Sequence, residues 1–321
     1  MKVVVPIRSS EQVKPFLDCG ADEFYCGVVF DEWMYKYGSF IEYNRRGSFH
    51  LQANFHSEQD LNKAVHTVKY SGKEIYLTIN AIRICEEQLP VLEHLIQIVK
   101  DYGMSGLIIS DPILIPLCQA YKMDFIISSC ANVINAECCR MYQDFGAKRI
   151  IFPRNICFHD MELISSNVKG IEFESFLMNS ACKFTDGNCL GTHNTEYGSL
   201  CTYIDKYPKY FHSFTNESIR ADVMQKILNN AFYYKQLFSN EKGLGCAQCD
   251  IYHLQHVADS VKIVGRLLPT EKLCQQIDMT KRNIEIASQC ESEDEYHKRM
   301  QDPKELISSD ICRTGMSCYY R

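Results

Sequence analysis

The sequence predicts an α/β chain closed into a (β/α)8, TIM-like barrel, on three observations. Short runs rich in β-branched residues alternate with helical patterns through the first 180 residues, the rhythm of parallel βα units. Eight strand-like runs can be counted along the chain, the number that closes a barrel typically of about 250 residues. No G-x-G-x-x-G follows the first run, which disfavours the runner-up, an open doubly wound sheet that binds a dinucleotide.

The elements follow in order. "VVVPI" (3–7) reads as the first strand, and "SSEQVKPFLDCG" as a helix ending at Gly20; "EFYCGV" (23–28) is the second strand. A polar, aromatic connection leads to "SEQDLNKAVHTVKYSG", a helix with Ser57 as its N-cap. "IYLTIN" (75–80) precedes "PVLEHLIQIVKDYG", whose Val91, Leu92, Leu95, Ile96 and Val99 form one helical stripe. "GLIIS" (106–110), "DFIISS" (124–129), "RIIFP" (149–153) and "GIEFESFL" (170–177) continue the series, each strand but the last followed by a helical stretch. The eighth strand, "VKIVGR" (261–266), comes after a long excursion, and "PTEKLCQQIDM" closes the set. The expected organisation is seven βα units over 1–178, a cysteine-bearing insertion or lid over 179–250, the eighth strand and closing helix over 251–289, and a polar tail over 290–321.

Composition narrows the function. With 321 residues, 46% of them hydrophobic, the chain can bury a full-sized core. No apolar run reaches the roughly 18–20 residues of a membrane span. The start, "MKVVVPIRSSEQ", lacks the apolar region and cleavage site of a signal peptide. A cytoplasmic protein is expected. The net charge of −6 argues against generic nucleic-acid binding, and the basic pairs Arg45–Arg46 and Lys148–Arg149 read as solvated faces.

In a barrel, active sites lie at the C-terminal ends of the strands. That face would present Arg8, Asn80, Asp111, Ser128, Ser129, Arg154 and Arg266, with the 179–250 excursion above it. Asp111, before Pro112, reads as a helix N-cap, and Asn80 as a turn cap.

Cysteine is the anomaly: 17 residues, an odd number, where disulfides are disfavoured. Cys19, Cys26, Cys118 and Cys138 sit in apolar contexts and read as core. The polar stretch "SACKFTDGNCLGTHNTEYGSLC" does not. It holds Cys182, Cys189 and Cys201, and "CAQC" follows at Cys246 and Cys249. Zinc favours close pairs, a spacing met only by Cys246 and Cys249 among these; iron–sulfur clusters accept wider gaps. From spacing alone an iron–sulfur cluster, zinc, and redox or core thiols all stay open. Gly187 and Gly191 would let backbone approach such a site, and His193 is a reserve ligand. Cys274, Cys290, Cys312 and Cys318 read as ordinary thiols near or in an unconstrained tail, with a second metal site as the alternative.

The ordered series "GADEFYCG", "IYLTIN", "SSCANVIN", "GAKRIIFPRN", "IEFESFLMNSAC", "DGNC", "CDIYHL" and "VKIVGR" resembles the collagenase-like peptidase family U-32 over residues 1 to 267. The resemblance implies a 4Fe–4S cluster on Cys182, Cys189, Cys201 and Cys249, with Cys249 preferred to Cys246 because His253 and Leu254 follow it at the family's spacing. His253 is then either a hydrogen-bond donor beside the cluster or a satisfied buried histidine.

The family name does not decide the reaction. The resemblance implies either proteolysis or oxygen-independent hydroxylation of the ubiquinone ring or of RNA bases, with prephenate as a hydroxyl source in the RNA branch. Three departures mark a divergent branch. Met178–Asn179 stand where the family has His–Gly, Asn155 replaces a Glu after Arg154, and Val264 replaces the Glu of "K-I-E-G-R". A peptidase would need a nucleophile and base or a metal-bound water, yet neither G-x-S-x-G nor H-E-x-x-H occurs. The expectation is therefore oxygen-independent hydroxylation, or a related redox modification, of a ring-containing small molecule. Arg154, Arg266 and Glu174 are its candidate catalytic groups, and an arginine fork such as that of Arg8, Arg154 or Arg266 would hold an anion. A peptidase, RNA base hydroxylation, and a non-catalytic electron-relay subunit working with a paralogous partner are the alternatives.

Overall fold

The computed structural model describes residues 1–38, 41–45, 51–180, 186–188, 245–306, 312 and 318–320. Eight parallel strands close into a barrel in sequence order: β1 (Lys2–Pro6), β2 (Glu23–Cys26), β3 (Glu74–Ile79), β4 (Gly106–Ile109), β5 (Asp124–Ile127), β6 (Arg149–Ile151), β7 (Glu172–Met178) and β8 (Ser260–Ile263). Closure is made by β8 against β1, with Val3 opposite Val261. Strands covered on both faces are mostly apolar, as in the unbroken "GLII" of β4; β2, β4 and β8 are buried along their whole length, and β2 and β8 carry buried Glu23 and Lys262 as well.

The described helices wrap the barrel: α1 (Val13–Asp18), α2 (Asp31–Tyr37), α3 (Glu58–Tyr70), α4 (Leu89–Asp101), α5 (Ile115–Ala120), α6 (Ala136–Asp144), α7 (Phe158–Asn167), α8 (Ile251–Val257), α9 (Thr270–Ser288) and α10 (Glu293–Arg299). Ser57 caps α3 by accepting from the Asp60 amide at 3.3 Å, and Asn135 caps α6 through the Cys138 amide at 2.9 Å. The five stripe residues of α4 are all buried. Cys26 and Cys118 are core residues, and Cys19 and Cys138 pack against the core.

The start of the barrel is held by charge. Arg149, fully buried, donates to Glu23 at 2.5 and 2.8 Å, to Glu172 at 2.7 and 2.8 Å, and to Glu174 at 2.9 Å. Lys262 donates to the other oxygen of Glu174 at 2.7 Å. The Lys148–Arg149 pair is therefore not a solvated face. Arg149 opens β6 with its side chain directed into the barrel, and buried carboxylates satisfy it.

Two features shape the opposite end. The β7–β8 register shifts between Phe176 and Met178, a bulge of the kind that re-aims side chains near functional sites. Asn179 follows with φ 68° and Ser180 with φ 52°. Asn179 occupies the glycine position of the His–Gly pattern, and asparagine is among the few other residues that enter this region readily. The tail, expected to be unconstrained, is tied down where it is described. Tyr296, Tyr319 and Tyr320 are buried, and Tyr320 donates to the Phe176 carbonyl at 3.0 Å. Tyr319 and Tyr320 find apolar surface at Phe176 of β7 and Phe158 of α7, and Tyr296 stacks on Tyr252 of α8.

Candidate active site at the barrel mouth

Loop residues after β2, β6 and β7 converge on one carboxylate. Arg154, three residues beyond β6, donates through Nη1 to both oxygens of Asp186 at 2.7 and 3.0 Å, and through its backbone amide at 3.0 Å. Arg45 reaches the same carboxylate at 2.5 Å and the Cys130 sulfur at 3.4 Å. Burial alone would raise the Asp186 carboxyl, but Arg154 and Arg45 outweigh it and hold the group at about 2. The Arg154 guanidinium also lies over the Phe176 ring, 3.7 Å from its centroid. Sequence pattern singles out neither Arg45 nor Asp186, and Arg45 is bound in the mouth rather than on a solvated face. Their partnership spans 141 positions, beyond the reach of local pattern. Gly187 allows the approach, since a Cβ there would stand 2.4 Å from that of Asn132.

Arg266, three residues past β8, is held differently. Its Nη1 donates to Asn54 Oδ1 at 2.9 Å and its Nη2 to Thr78 Oγ1 at 2.8 Å, with the Tyr25 ring centroid 5.3 Å away. These partners are neutral, and among the described residues no carboxylate forms an ion pair with it. Burial pushes its pKa down, opposed by the nearby Tyr25, Cys26 and Tyr43. Cys26 beneath it is pushed up to about 12 by burial, Arg266 working the other way, so it is a neutral thiol.

The remaining candidates divide. Arg8 donates to the Gln52 carbonyl at 3.2 Å and lines an open cavity of about 630 Å³ with Gln12, Asn54, His56 and Thr270. Asn80 accepts from the Arg45 amide at 3.0 Å and donates to Ser128 at 3.2 Å, and so holds the loop that carries Arg45. Asp111 is the expected N-cap, accepting from Ile113 at 3.1 Å and also from Ile84 at 2.8 Å. Ser128 caps the turn that contains buried Ser129. Glu174 belongs to the interior network with Arg149 and Lys262 and is not brought to Arg8, Arg154 or Arg266. His253 is half-buried, and its Nε2 pairs with Glu293 at 3.1 Å, with 41% of its side chain exposed.

Cys182, Cys189, Cys201, Gly191 and His193 lie outside the described residues. Cys249 is half-buried just ahead of α8. Its neighbour Cys246 forms a bridge with Met178 at the end of β7, which puts the "CAQC" pair on the mouth side. Asp186–Asn188, between Cys182 and Cys189 in sequence, is docked on that same side by Arg154. Cys249 and the described part of the cysteine loop thus lie toward one face of the barrel. Among the described residues, no group of three or more His, Cys, Asp or Glu side chains is arranged to hold a metal ion, and no helix is long and apolar enough to cross a membrane.

Fold and site together define a (β/α)8 barrel with an arginine-rich mouth. Residues 8–319 match Peptidase family U32. Curated relatives include tRNA hydroxylation protein P of Escherichia coli K12, 26% identical over 162 residues, which are 49% of this chain and 36% of that protein. Another is tRNA hydroxylation protein P2 of Bacillus subtilis 168, 23% identical over 96% of this chain and 93% of that protein. The chain thus spans about a third of the E. coli relative and nearly all of the B. subtilis one. Among solved structures, the U32 peptidase Mk0906 shares the fold with a TM-score of 0.51 at 12% identity, over 84% of this chain and 94% of that one. The chain belongs to peptidase family U32.

Proposed function

We propose that this protein takes part in oxygen-independent hydroxylation, or a closely related redox modification, of a ring-containing substrate bound at the barrel mouth. The observation that carries this reading is Arg266: a half-buried guanidinium three residues past a strand end whose described partners are neutral. A partly desolvated cation without a counter-charge favours an anionic partner, and a carboxylate or phosphate on the substrate would supply one in bidentate form. Arg154 is already neutralised by Asp186. Its part is to hold the cysteine loop on the mouth and to offer, with Phe176, a flat cation-faced wall against which a ring can lie. Glu174 keeps the interior charge in balance and is assigned no contact with substrate.

Cys182, Cys189, Cys201 and Cys249 would hold a 4Fe–4S cluster above this face. Bound there, it would supply electron transfer, the chemistry that hydroxylation without dioxygen needs. Zinc on these residues is the alternative for the metal. The net charge of −6 favours a small anionic molecule that Arg266 can recognise alone. A tRNA base is the second reading, favoured by the names of the relatives above. A non-catalytic role beside a paralogous subunit and a peptidase rank below both; the described mouth offers a buried, protonated thiol in Cys26 and no histidine bonded to it.

The test combines cofactor and product. Anaerobically purified protein is expected to carry iron and sulfide that are lost in Cys182→Ala. Mass spectrometry of tRNA nucleosides and of small-molecule extracts, from cells lacking the protein and cells complemented with it, should reveal one ring-bearing component that loses an oxygen, restored by the wild type and not by Arg266→Met. Peptidase activity that survives complete removal of iron, with no hydroxylated component affected, would overturn the reading.

A further inference from the structure

A second arginine stands at the mouth, one buried amide away from Arg266. Arg8 lies two residues past β1, where the chain turns out of the barrel. Its backbone amide donates to Gln12 Oε1 at 2.9 Å and its Nη1 to the Gln52 carbonyl at 3.2 Å. Both bonds fix its place, and neither supplies a counter-charge; among the described residues no carboxylate forms an ion pair with it. The guanidinium lines an open cavity of about 630 Å³. Two side chains of the cavity wall are buried amides, Gln12 at 4% exposure and Asn54 at 1%. Asn54 joins the cavity to the neighbouring site, because its Oδ1 accepts from Arg266 Nη1 at 2.9 Å.

Donors reach this cavity from three loops. A guanidinium has five N–H groups, and the bond to Gln52 takes one of those of Arg8. His56, exposed ahead of α3, lines the same space. Thr270 opens α9, and its Oγ1 accepts from Gln12 Nε2 at 3.2 Å, which leaves its hydroxyl hydrogen to be donated. The N-cap position of α9 is Pro269, whose side chain cannot cap the first amides, so the helix start adds partial positive charge to that wall. A guanidinium, an imidazole and a hydroxyl on separate walls match the three acceptor oxygens of a phosphate group better than the two of a flat carboxylate. Every lining residue is polar, so the cavity suits the phosphate end of a ligand and not its ring. Glu11 is the one carboxylate of the lining; it is exposed, where solvent screens it.

We propose that the Arg8 cavity is a phosphate subsite of the mouth, taking the terminal phosphate of a small monoester whose ring-bearing part passes Asn54 toward Arg266. The ligand class is then a ring compound with a phosphate for Arg8 and a second anionic group for Arg266. The ring and the second group rest on the function proposed above; the phosphate contacts stand on the cavity alone. A terminal monoester brings three free oxygens and close to two negative charges, whereas a phosphodiester of an RNA backbone brings two oxygens and one charge.

The test is calorimetric titration of the full chain with phenyl phosphate, with benzoate and with tRNA. Phenyl phosphate is expected to bind, and Arg8→Met to weaken it by about 10- to 100-fold, the loss of a charge-assisted hydrogen bond, with Arg8→Lys recovering part. His56→Ala, at an exposed position, should weaken it by about 2- to 5-fold even if Arg8→Met fails to fold, and Glu11→Gln should strengthen it by a similar factor, the range of exposed charge pairs. Lys69→Met, exposed at the far end of α3, should leave it unchanged. Benzoate should depend on Arg266 and not on Arg8. Wild type that ignores phenyl phosphate at millimolar concentration, or affinity unchanged in both Arg8→Met and His56→Ala, would overturn the proposal; so would tRNA bound through Arg8 with no binding of the monoester. Arg8-dependent phosphate binding in a protein with no hydroxylated product would sink the proposed function and leave this site standing. A hydroxylated product made in undiminished yield by Arg8→Met would sink this site alone.

Discussion

Gly27 makes room for Arg266: a Cβ at position 27 would stand 2.6 Å from Arg266 Nη1 and 2.0 Å from Asn54 Oδ1. Both atoms end flexible side chains, so Gly27→Ala is expected to displace the guanidinium while the barrel stays folded, at an overpacking cost of about 1–3 kcal/mol. A lost charge-assisted hydrogen bond is worth about 1.5–3 kcal/mol, so the affinity for an anionic substrate should fall by about 10- to 100-fold, close to the effect of Arg266→Met. Wild-type affinity in Gly27→Ala, with a thermal midpoint lowered as expected, would show that the placement of Arg266 is not needed.

Arg149 is the hub of the barrel interior, and removing it leaves Glu174 against Lys262 and Glu23 against the half-exposed Lys2, 3.9 Å away. Breaking a buried ion network by removing one partner costs about 3–5 kcal/mol. Arg149→Met is expected to lower unfolding free energy by that amount in denaturant titration, and adding Glu23→Gln should recover part of it. A loss below about 1 kcal/mol would mean that the interior charges are solvated, contrary to their burial.

What the sequence reveals of this chain follows the range of each interaction. The strands are legible because a parallel strand buried on both faces is rich in β-branched and aromatic residues, and each of the eight lies where such a run predicts it, with ends shifted by a few residues. The α4 stripe and the Ser57 and Asp111 caps are legible because their partners lie within a few positions. Arg149 reads as surface because strand-start charge is locally indistinguishable from a solvated pair; only closure of the barrel brings Glu23 to it across 126 positions. The Arg45–Asp186–Arg154 contact is hidden for the same reason. The tail does carry a local signal of its docking: Tyr319 and Tyr320 beside Cys318 are too apolar for a loose end.

Lys122 marks a local conflict that can be relieved. α3, α4 and α6 are followed by Gly72, Gly103 and Gly146 at φ 71°, 83° and 93°, whereas α5 is followed by Lys122 at φ 51°. A side chain in the left-handed region costs about 1–2 kcal/mol, offset in part by the freedom glycine adds to the unfolded chain. Lys122→Gly is expected to raise stability by about 0.5–1 kcal/mol, seen as a higher denaturation midpoint with unchanged activity. A lowered midpoint would show that the exposed Lys122 side chain makes a compensating contribution.

The Asp186 clamp should be readable in pH. Its carboxyl sits at about 2 because Arg154 and Arg45 outweigh its burial, while an unfolded aspartate titrates near 3.9, about two pH units higher. A carboxyl with a lowered folded pKa binds its proton more weakly in the native state. Its contribution is therefore complete above about pH 4–5 and is lost as pH falls toward 2, a difference on the order of 2 kcal/mol. Asp186→Asn should abolish it, leaving Arg45 and Arg154 against a neutral amide. The stability gap between wild type and Asp186→Asn is thus expected to be constant from pH 7 to about 5 and to close steadily toward pH 2, followed by denaturant unfolding at each pH. A gap that stays constant through that acid window would mean that the carboxylate charge contributes nothing and that only the shape of Asp186 holds the loop.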